Sequence, residues 1–137
     1  MIERQEMAAR IDIEETIEVG EALVLTSESP TSSYAVVFED DEDTGYFYAV
    51  SMVDSDFRIL DAMHIYNVKN VADRNKPSRV TIAWSEDGMK AALLINDYAH
   101  AIFNFEEKQG YCRTNFPTPG TGWKGHEWSD EALALFD

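Results

Sequence analysis

Short runs of β-branched and aromatic residues, separated by turn-forming residues, follow one another from Tyr34 to Thr114. No amphipathic helical segment of ten or more residues lies between these runs, so parallel βαβ units are not expected. The strongest part of the pattern is a meander of four predicted strands, at 80–84, 89–95, 99–105 and 111–114. The sequence therefore predicts a mainly β domain with antiparallel strands.

The pattern predicts about seven to nine strands, arranged as a single meander-rich antiparallel sheet, a sandwich or a partly closed barrel. Several strands, such as 91–95, are apolar on both faces and should be covered on both sides. Ser129 precedes two acids and is expected to cap a short C-terminal helix over 130–136. Residues 1–10 are predicted to be a tail or a frayed helix, and residues 11–137 a single β-rich domain.

Five consecutive acids, 39–43, lie in the connection between two predicted strands, 34–38 and 46–50. We expect an antiparallel hairpin with a positive φ at Gly45 and with Asp40, Asp41, Glu42 and Asp43 exposed to solvent. Aligned on Gly45 as the sixth position of an EF-hand loop, the twelfth position is Ser51 and not the required Glu. The loop is therefore interpreted as a solvated tip or a docking surface, and calcium is not expected to be needed for folding.

The chain carries 26 acids and 11 Lys plus Arg, a net charge of −15. Thirteen of the acids and only two of the bases lie in residues 1–45, a net of −11. A negative field repels phosphate backbones, so nucleic-acid binding is disfavoured and a basic protein is the expected kind of partner. Solubility alone is the simpler explanation of the same charge.

The longest strongly apolar run, 91–95, is far shorter than a membrane span, and no membrane contact is expected. Cys112 is the single cysteine, so no intrachain disulfide can form. This composition fits a reducing compartment, and the cytoplasm is the expected location.

The motif GTGWKG at residues 120–125 matches G-x-G-x-x-G in letters; it contains Trp123, and Trp128 follows it. Only twelve residues follow Gly125, so the strand–turn–helix context of a dinucleotide site is missing. Trp123 and Trp128 are interpreted as anchors of an ordered loop, or as an aromatic contact surface for a partner.

His64, His100, His126 and Cys112 do not occur in the close pairs that structural zinc sites use, so no metal and no cofactor is predicted. No catalytic motif is present either, and no catalytic residue is assigned. If the strands align them, four side chains are candidates for a pocket with acid–base chemistry: Asp61, His64, Asp97 and His100.

Four segments together carry a family resemblance: YAVVFEDDEDTGYFYAV, LDAMHIYNV, VTIAWSEDGMKAALLIND and GYCRTNFP. Over about residues 22–128 they resemble a small bacterial family known only as a domain of unknown function, of the DUF2251 type. The resemblance implies a small bacterial single-domain protein and no particular substrate, cofactor or catalytic residue.

Size and charge favour a non-enzymatic protein-binding module that masks a basic partner, as an inhibitor or immunity protein does. The residues predicted to bind the partner are Asp40, Asp41, Glu42, Asp43, Trp123 and Trp128. One alternative is a small-molecule-binding protein or a His/Asp-dependent enzyme. Another is a self-associating structural domain, for which a homodimer is expected.

Overall fold

The computed structural model describes residues 9–53 and 56–136, which contain nine strands and two short 3-10 helices. The helices are Val68–Asn70 and Asp130–Phe136. The strands are β1 (Arg10–Ile17), β2 (Leu23–Glu28), β3 (Tyr34–Asp40), β4 (Thr44–Ser51), β5 (Arg58–Asn67), β6 (Ser78–Trp84), β7 (Lys90–Ile95), β8 (Tyr98–Asn104) and β9 (Gln109–Cys112).

Two antiparallel sheets contain all nine strands. The five-stranded sheet has the order β1-β6-β7-β8-β9, and the four-stranded sheet has the order β2-β3-β4-β5. The predicted meander is confirmed as β6 to β9, and the predicted hairpin is confirmed as β3 and β4, with Tyr34 opposite Ser51 and Asp40 opposite Gly45. Short hairpin connections fix these neighbours, so their pairing follows from the local sequence.

The main core lies between the two sheets, which identifies the architecture as a sandwich among the predicted alternatives. Phe47 of β4 stacks on Phe103 of β8, with ring centroids 5.1 Å apart, and both side chains are fully buried. Trp84 is also fully buried, and its indole N–H donates to the Ser27 hydroxyl at 2.9 Å. Each such aromatic side chain contributes about 1.5–3 kcal/mol to stability through burial.

The outer face of the five-stranded sheet is partly covered, as the apolar pattern of residues 91–95 predicts. Ala132 and Phe136 of the C-terminal 3-10 helix pack on Ala92 and Ile102 of the five-stranded sheet. The Ser129 hydroxyl accepts a hydrogen bond from the Glu131 amide at 3.2 Å, which confirms the predicted cap. Because the helix is anchored by two buried side chains, it holds against the sheet although it is short.

The first two strands belong to different sheets, although the sequence places them side by side. The turn between them contains Gly20 at a φ of +97°, a conformation that glycine adopts without strain. Beyond the turn, β1 pairs with β6 and β2 pairs with β3. Most of the predicted tail, residues 1–8, lies outside the described residues, and Arg10 already belongs to β1.

Candidate functional site

The acid loop has the predicted hairpin form, but one of its acids is buried. Asp40 is 1% exposed, so the expectation that all four residues 40–43 face solvent is wrong at this position. Its Oδ2 accepts from the Gly20 amide at 2.8 Å and the Tyr66 hydroxyl at 2.7 Å, and its Oδ1 accepts from the Glu42 amide at 2.9 Å. Burial and this hydrogen bond to Asp40 raise the pKa of Tyr66. A carboxylate with three donors serves as a structural acceptor.

The glycine of the loop is needed for a different reason from the one predicted. The positive φ in this turn is at Glu42, at 85°, and Gly45 lies within β4. A Cβ at Gly45 would come within 2.6 Å of the Tyr66 ring. Glycine is therefore required because the tyrosine that bonds Asp40 packs directly on the backbone.

Asp41 completes the hairpin turn from the solvent side. Its Oδ1 accepts from the Thr44 amide at 2.8 Å and the Asp43 amide at 3.0 Å. The hydrogen bond from the Thr44 amide, and next that from the Asp43 amide, hold the pKa of Asp41 below its ordinary value. The turn is thus fixed by its own acids, while Glu42 and Asp43 project into solvent.

The bond from Gly20 to Asp40 brings two acidic turns together at one end of the sandwich. The β1–β2 turn carries exposed Glu18 and Glu21, and β1 adds exposed acids along the edge of the five-stranded sheet. We call this set the acidic edge; its members are Asp12, Glu14, Glu15, Glu18, Glu21, Asp41, Glu42 and Asp43. Eight acids of the first third of the sequence are therefore exposed along β1 and on the two turns that Asp40 joins.

Bases border the acidic edge at two places. Arg79 lies 3.4 Å from Glu14 and also pairs with Asp97. Lys69 and Arg74 line a 460 Å³ depression together with Glu42 and Asp43. Glu14 is therefore paired with a base, and Glu42 and Asp43 have Lys69 and Arg74 nearby.

A buried carboxylate–imidazole pair lies on the side of the sandwich opposite β1 and β2. The Nε2 of His126 is 2.7 Å from Oδ2 of Asp61, and neither side chain is exposed (0% each). The other ring nitrogen, Nδ1, lies 2.7 Å from the Pro117 carbonyl oxygen and must donate a proton to it. The Oδ1 of Asp61 accepts from the Gly120 amide at 2.9 Å. The pair fastens the loop 117–126 to β5.

The four predicted pocket residues do not come together in the structure. Asp61 pairs instead with His126, which is not one of the four. His64 is on the opposite face of β5, where its Nε2 lies 3.1 Å from Oδ1 of Asn67. Asp97 is in the exposed β7–β8 turn and pairs with Arg79.

His100 lies elsewhere again, on β8 next to Arg113. Burial and the charge of Arg113 lower the pKa of His100. The Arg113 guanidinium in turn lies over the rings of Tyr98 and Trp128, at 4.2 Å and 4.1 Å from their centroids. This cluster is a cation–aromatic stack that anchors the C-terminal segment.

The two tryptophans have structural roles, in agreement with the loop-anchor interpretation. Trp123 is 9% exposed and packs edge-on against Phe103 and Phe105, at centroid distances of 5.7 and 5.8 Å. Trp128 donates its indole N–H to Asp130 at 2.8 Å. Little of the Trp123 surface is therefore free for a protein partner.

A cleft of about 720 Å³ opens beside the buried pair, between β5 and the loop 117–123. Trp123, Phe105 and Tyr34 provide aromatic lining, and Arg58 and Lys108 provide positive charge. No sequence pattern indicated this cleft, because its walls come from four segments that are distant along the chain.

Cys112 is buried, and its thiol lies 3.3 Å from the His64 carbonyl oxygen. Within residues 9–53 and 56–136, no three His, Cys, Asp or Glu side chains gather closely enough to hold a metal ion. Over the same ranges, no helix has the length and apolar content that crossing a membrane requires.

Comparison with known proteins agrees with the resemblance seen in the sequence. The chain is 43% identical over 86 residues to an uncharacterized protein of Haemophilus influenzae. The match covers 63% of this chain and 53% of the relative, about half of its length. No solved structure gives a significant match. The model of the family described as "Uncharacterized protein conserved in bacteria (DUF2251)" matches residues 17–137, nearly the whole chain, and the protein therefore belongs to this bacterial family.

Proposed function

We propose that the protein is a non-enzymatic binding module that takes a basic protein partner on its acidic edge. The observation that carries the proposal is the buried carboxylate of Asp40, which joins Gly20 to the hairpin turn. Through this contact two acidic turns form one rigid surface. Preorganised surface charge accelerates association with a partner of opposite sign and selects against partners of like sign.

The position of β1 supports the same proposal. In the described part of the chain β1 pairs with β6 alone and forms the edge of its sheet. An edge strand offers backbone donors and acceptors to a partner, and the acids beside it set the partner's charge. A basic extended segment or a basic surface fits this combination.

A binding role without catalysis is supported by the state of the acid–base candidates. The side chains of Asp61 and His126 have no exposed surface, and their polar atoms bond one another or the backbone. His64 and His100 lie apart from them. In this proposal the protein works in the cytoplasm, which the single buried cysteine fits, and masks its basic partner in the manner of an inhibitor.

Affinity capture with matched variants tests the proposal. The edge variant is Glu18→Gln/Glu21→Gln/Glu42→Gln, which leaves the structural acids Asp40 and Asp41 in place. The control variant is Glu86→Gln/Glu127→Gln/Glu131→Gln, which removes the same charge from exposed positions outside the edge.

We expect wild type and the control variant to retain a basic protein from a lysate of the native cell, and the edge variant to lose it. Retention should weaken as salt is added, because exposed charges are screened. Equal retention by all three proteins, or capture of acidic proteins only, would contradict the proposal.

Self-association is a second candidate, favoured by an exposed apolar area on the four-stranded sheet. Val24, Phe57 and Ile59 are 59%, 57% and 56% exposed and line one 240 Å³ depression. Apolar surface of this kind is buried in homodimers. Sedimentation velocity at two concentrations tests it: a dimer that Ile59→Thr dissociates supports the candidate, and a monomer at both concentrations removes it.

A further inference from the structure

The cleft beside β5 has the form of a small-molecule site. Its volume of about 720 Å³ lies within the range of about 300–1,000 Å³ that ligand pockets occupy. One wall is β5 from Arg58 to Ala62, and the other is the loop from Pro117 to Trp123. The lining is completed by Tyr34, Ser51, Val53, Phe105 and Lys108.

The walls are held in place by buried hydrogen bonds. Asp61 bonds His126 and the Gly120 amide, and His126 bonds the Pro117 carbonyl, so both ends of the loop wall are fixed. A Cβ at Gly120 would collide with the Leu60 carbonyl oxygen, which shows how closely the loop approaches β5. A preformed cleft binds its ligand without the entropy cost of ordering a loop.

The charge inside the cleft is opposite in sign to that of the whole protein. Among the described lining residues the charged ones are Arg58, Lys108 and Asp61. Arg58 and Lys108 are exposed, whereas the Asp61 carboxylate is fully buried and shared between His126 and Gly120. The charges that a ligand would meet are thus positive, in a chain of net charge −15.

The remaining lining combines aromatic rings with hydroxyl groups. Tyr34 and Phe105 are stacked with ring centroids 4.4 Å apart, and Phe105 lies edge-on to Trp123 at 5.8 Å. Ser51, Thr118 and Thr121 add hydroxyl donors. Aromatic lining favours a flat apolar body, and Arg, Lys and hydroxyl donors favour a carboxylate or phosphate on that body.

We propose that this cleft binds a small organic anion that carries a carboxylate or phosphate group on an aromatic ring. Arg58 and Lys108 bind the anionic group, and the ring lies mainly on Tyr34, with the small exposed parts of Phe105 and Trp123 beside it. The site is separate from the acidic edge, so it stands whether or not a basic partner is found.

The test is titration of the ¹⁵N-labelled protein with four probes, followed through the Trp123 indole and Gly120 amide resonances. Phenyl phosphate and benzoate carry ring and anion together, inorganic phosphate carries the anion alone, and phenol carries the ring alone. We expect saturable shifts at these two positions with phenyl phosphate or benzoate, at lower concentration than with either partial probe. The better of the two ring anions identifies the anionic group.

Charge removal separates this site from unspecific binding. Arg58→Gln/Lys108→Gln, and each single substitution, should weaken binding of the ring anion, by about tenfold for each lost charge-assisted bond. The matched control Arg74→Gln/Lys69→Gln removes one Arg and one Lys outside the cleft and should leave binding unchanged. All four positions are exposed, so folding should persist. Absence of shifts at the cleft with both ring anions, equal binding of phenol, or unchanged binding by Arg58→Gln/Lys108→Gln would overturn the proposal.

Discussion

At the scale of single residues, the pair of Asp61 and His126 shows how a buried polar group is accommodated. Nδ1 of His126 faces a carbonyl and must carry a proton, so Nε2 and the Asp61 carboxyl share the second one. Asn in place of Asp61 would keep both bonds, since its amide can donate to Nε2 of a neutral ring while its oxygen still accepts from Gly120. Alanine would leave Nε2 of His126 and the Gly120 amide without partners.

We therefore predict very different costs for two substitutions at the same position. Asp61→Ala should lower the free energy of unfolding by about 3–5 kcal/mol, the range for a broken buried pair. Asp61→Asn should cost less than about 1.5 kcal/mol, because the hydrogen bonds persist. Urea denaturation measures both, with Glu127→Gln as an exposed control. Equal costs for Ala and Asn would show that hydrogen bonding by this side chain does not stabilise the fold.

At position 40, in contrast to position 61, we predict that Asn is destabilising. Its two oxygens face three donors, so an Asn amide group would always point at one of them. Asp40→Asn should therefore lower the free energy of unfolding by about 1–3 kcal/mol. The neighbouring exposed substitution Glu42→Gln should stay within about 0.5 kcal/mol. If denaturation curves of the two variants coincide, Asp40 does not join the two turns as described.

At the scale of elements, the β6–β7 turn holds a charged cluster that predicts acid sensitivity. Asp87 accepts from the Lys90 ammonium at 2.8 Å and from the Ser85 hydroxyl at 2.6 Å. The hydrogen bond from Lys90, and next that from Ser85, lower the pKa of Asp87 to about 2 from its ordinary 3.8. A carboxyl whose pKa is lower in the folded than in the unfolded protein stabilises the folded state at any pH above its unfolded pKa. This stability is lost as the pH falls from about 4 towards 2.

Asp87→Asn should consequently have a lower free energy of unfolding than wild type at pH 7, and the difference should disappear by about pH 2. The effect should stay below about 1 kcal/mol, because the carboxylate is 52% exposed and solvent screens it. Urea denaturation of wild type and variant across this pH range measures the difference in their free energies of unfolding. The titration of the other acids is common to both proteins and cancels in this difference. The adjacent exposed Glu86→Gln serves as control. A difference that does not change with pH would contradict the assignment.

Elements were predictable from sequence where pairing is local. The hairpin of β3 and β4 and the meander of β6 to β9 follow from alternation and turn residues. The pairing of β1 with β6 joins Ile17 to Ser78, and no local pattern encodes a contact of that separation. On β5, Asp61, Met63 and Ile65 are buried, whereas Ile59 is 56% exposed beyond a register shift in the pairing with β4.

At the scale of the whole molecule, the sequence indicated a fold class and a charge distribution but not a site. The sequence placed Asp61 in a candidate pocket with His64, Asp97 and His100, whereas in the structure it pairs with a different histidine. The partner, His126, lies 65 residues away in a loop without periodicity, so the fold alone reveals it. The cleft could not be predicted for the same reason, because its walls are distant along the chain. The sequence showed the excess of acids in residues 1–45 but not their arrangement along one edge.

Steering by the acidic edge is the central claim, and the association rate constant with the captured basic partner tests it most directly. It is measured by stopped flow at two ionic strengths for wild type, the edge variant and the control variant. We predict that the edge variant associates about tenfold more slowly at low salt, with a flatter salt dependence, while dissociation changes less and the control resembles wild type. Identical association rate constants for wild type and the edge variant at low salt would contradict the claim and leave the acids a role in solubility alone.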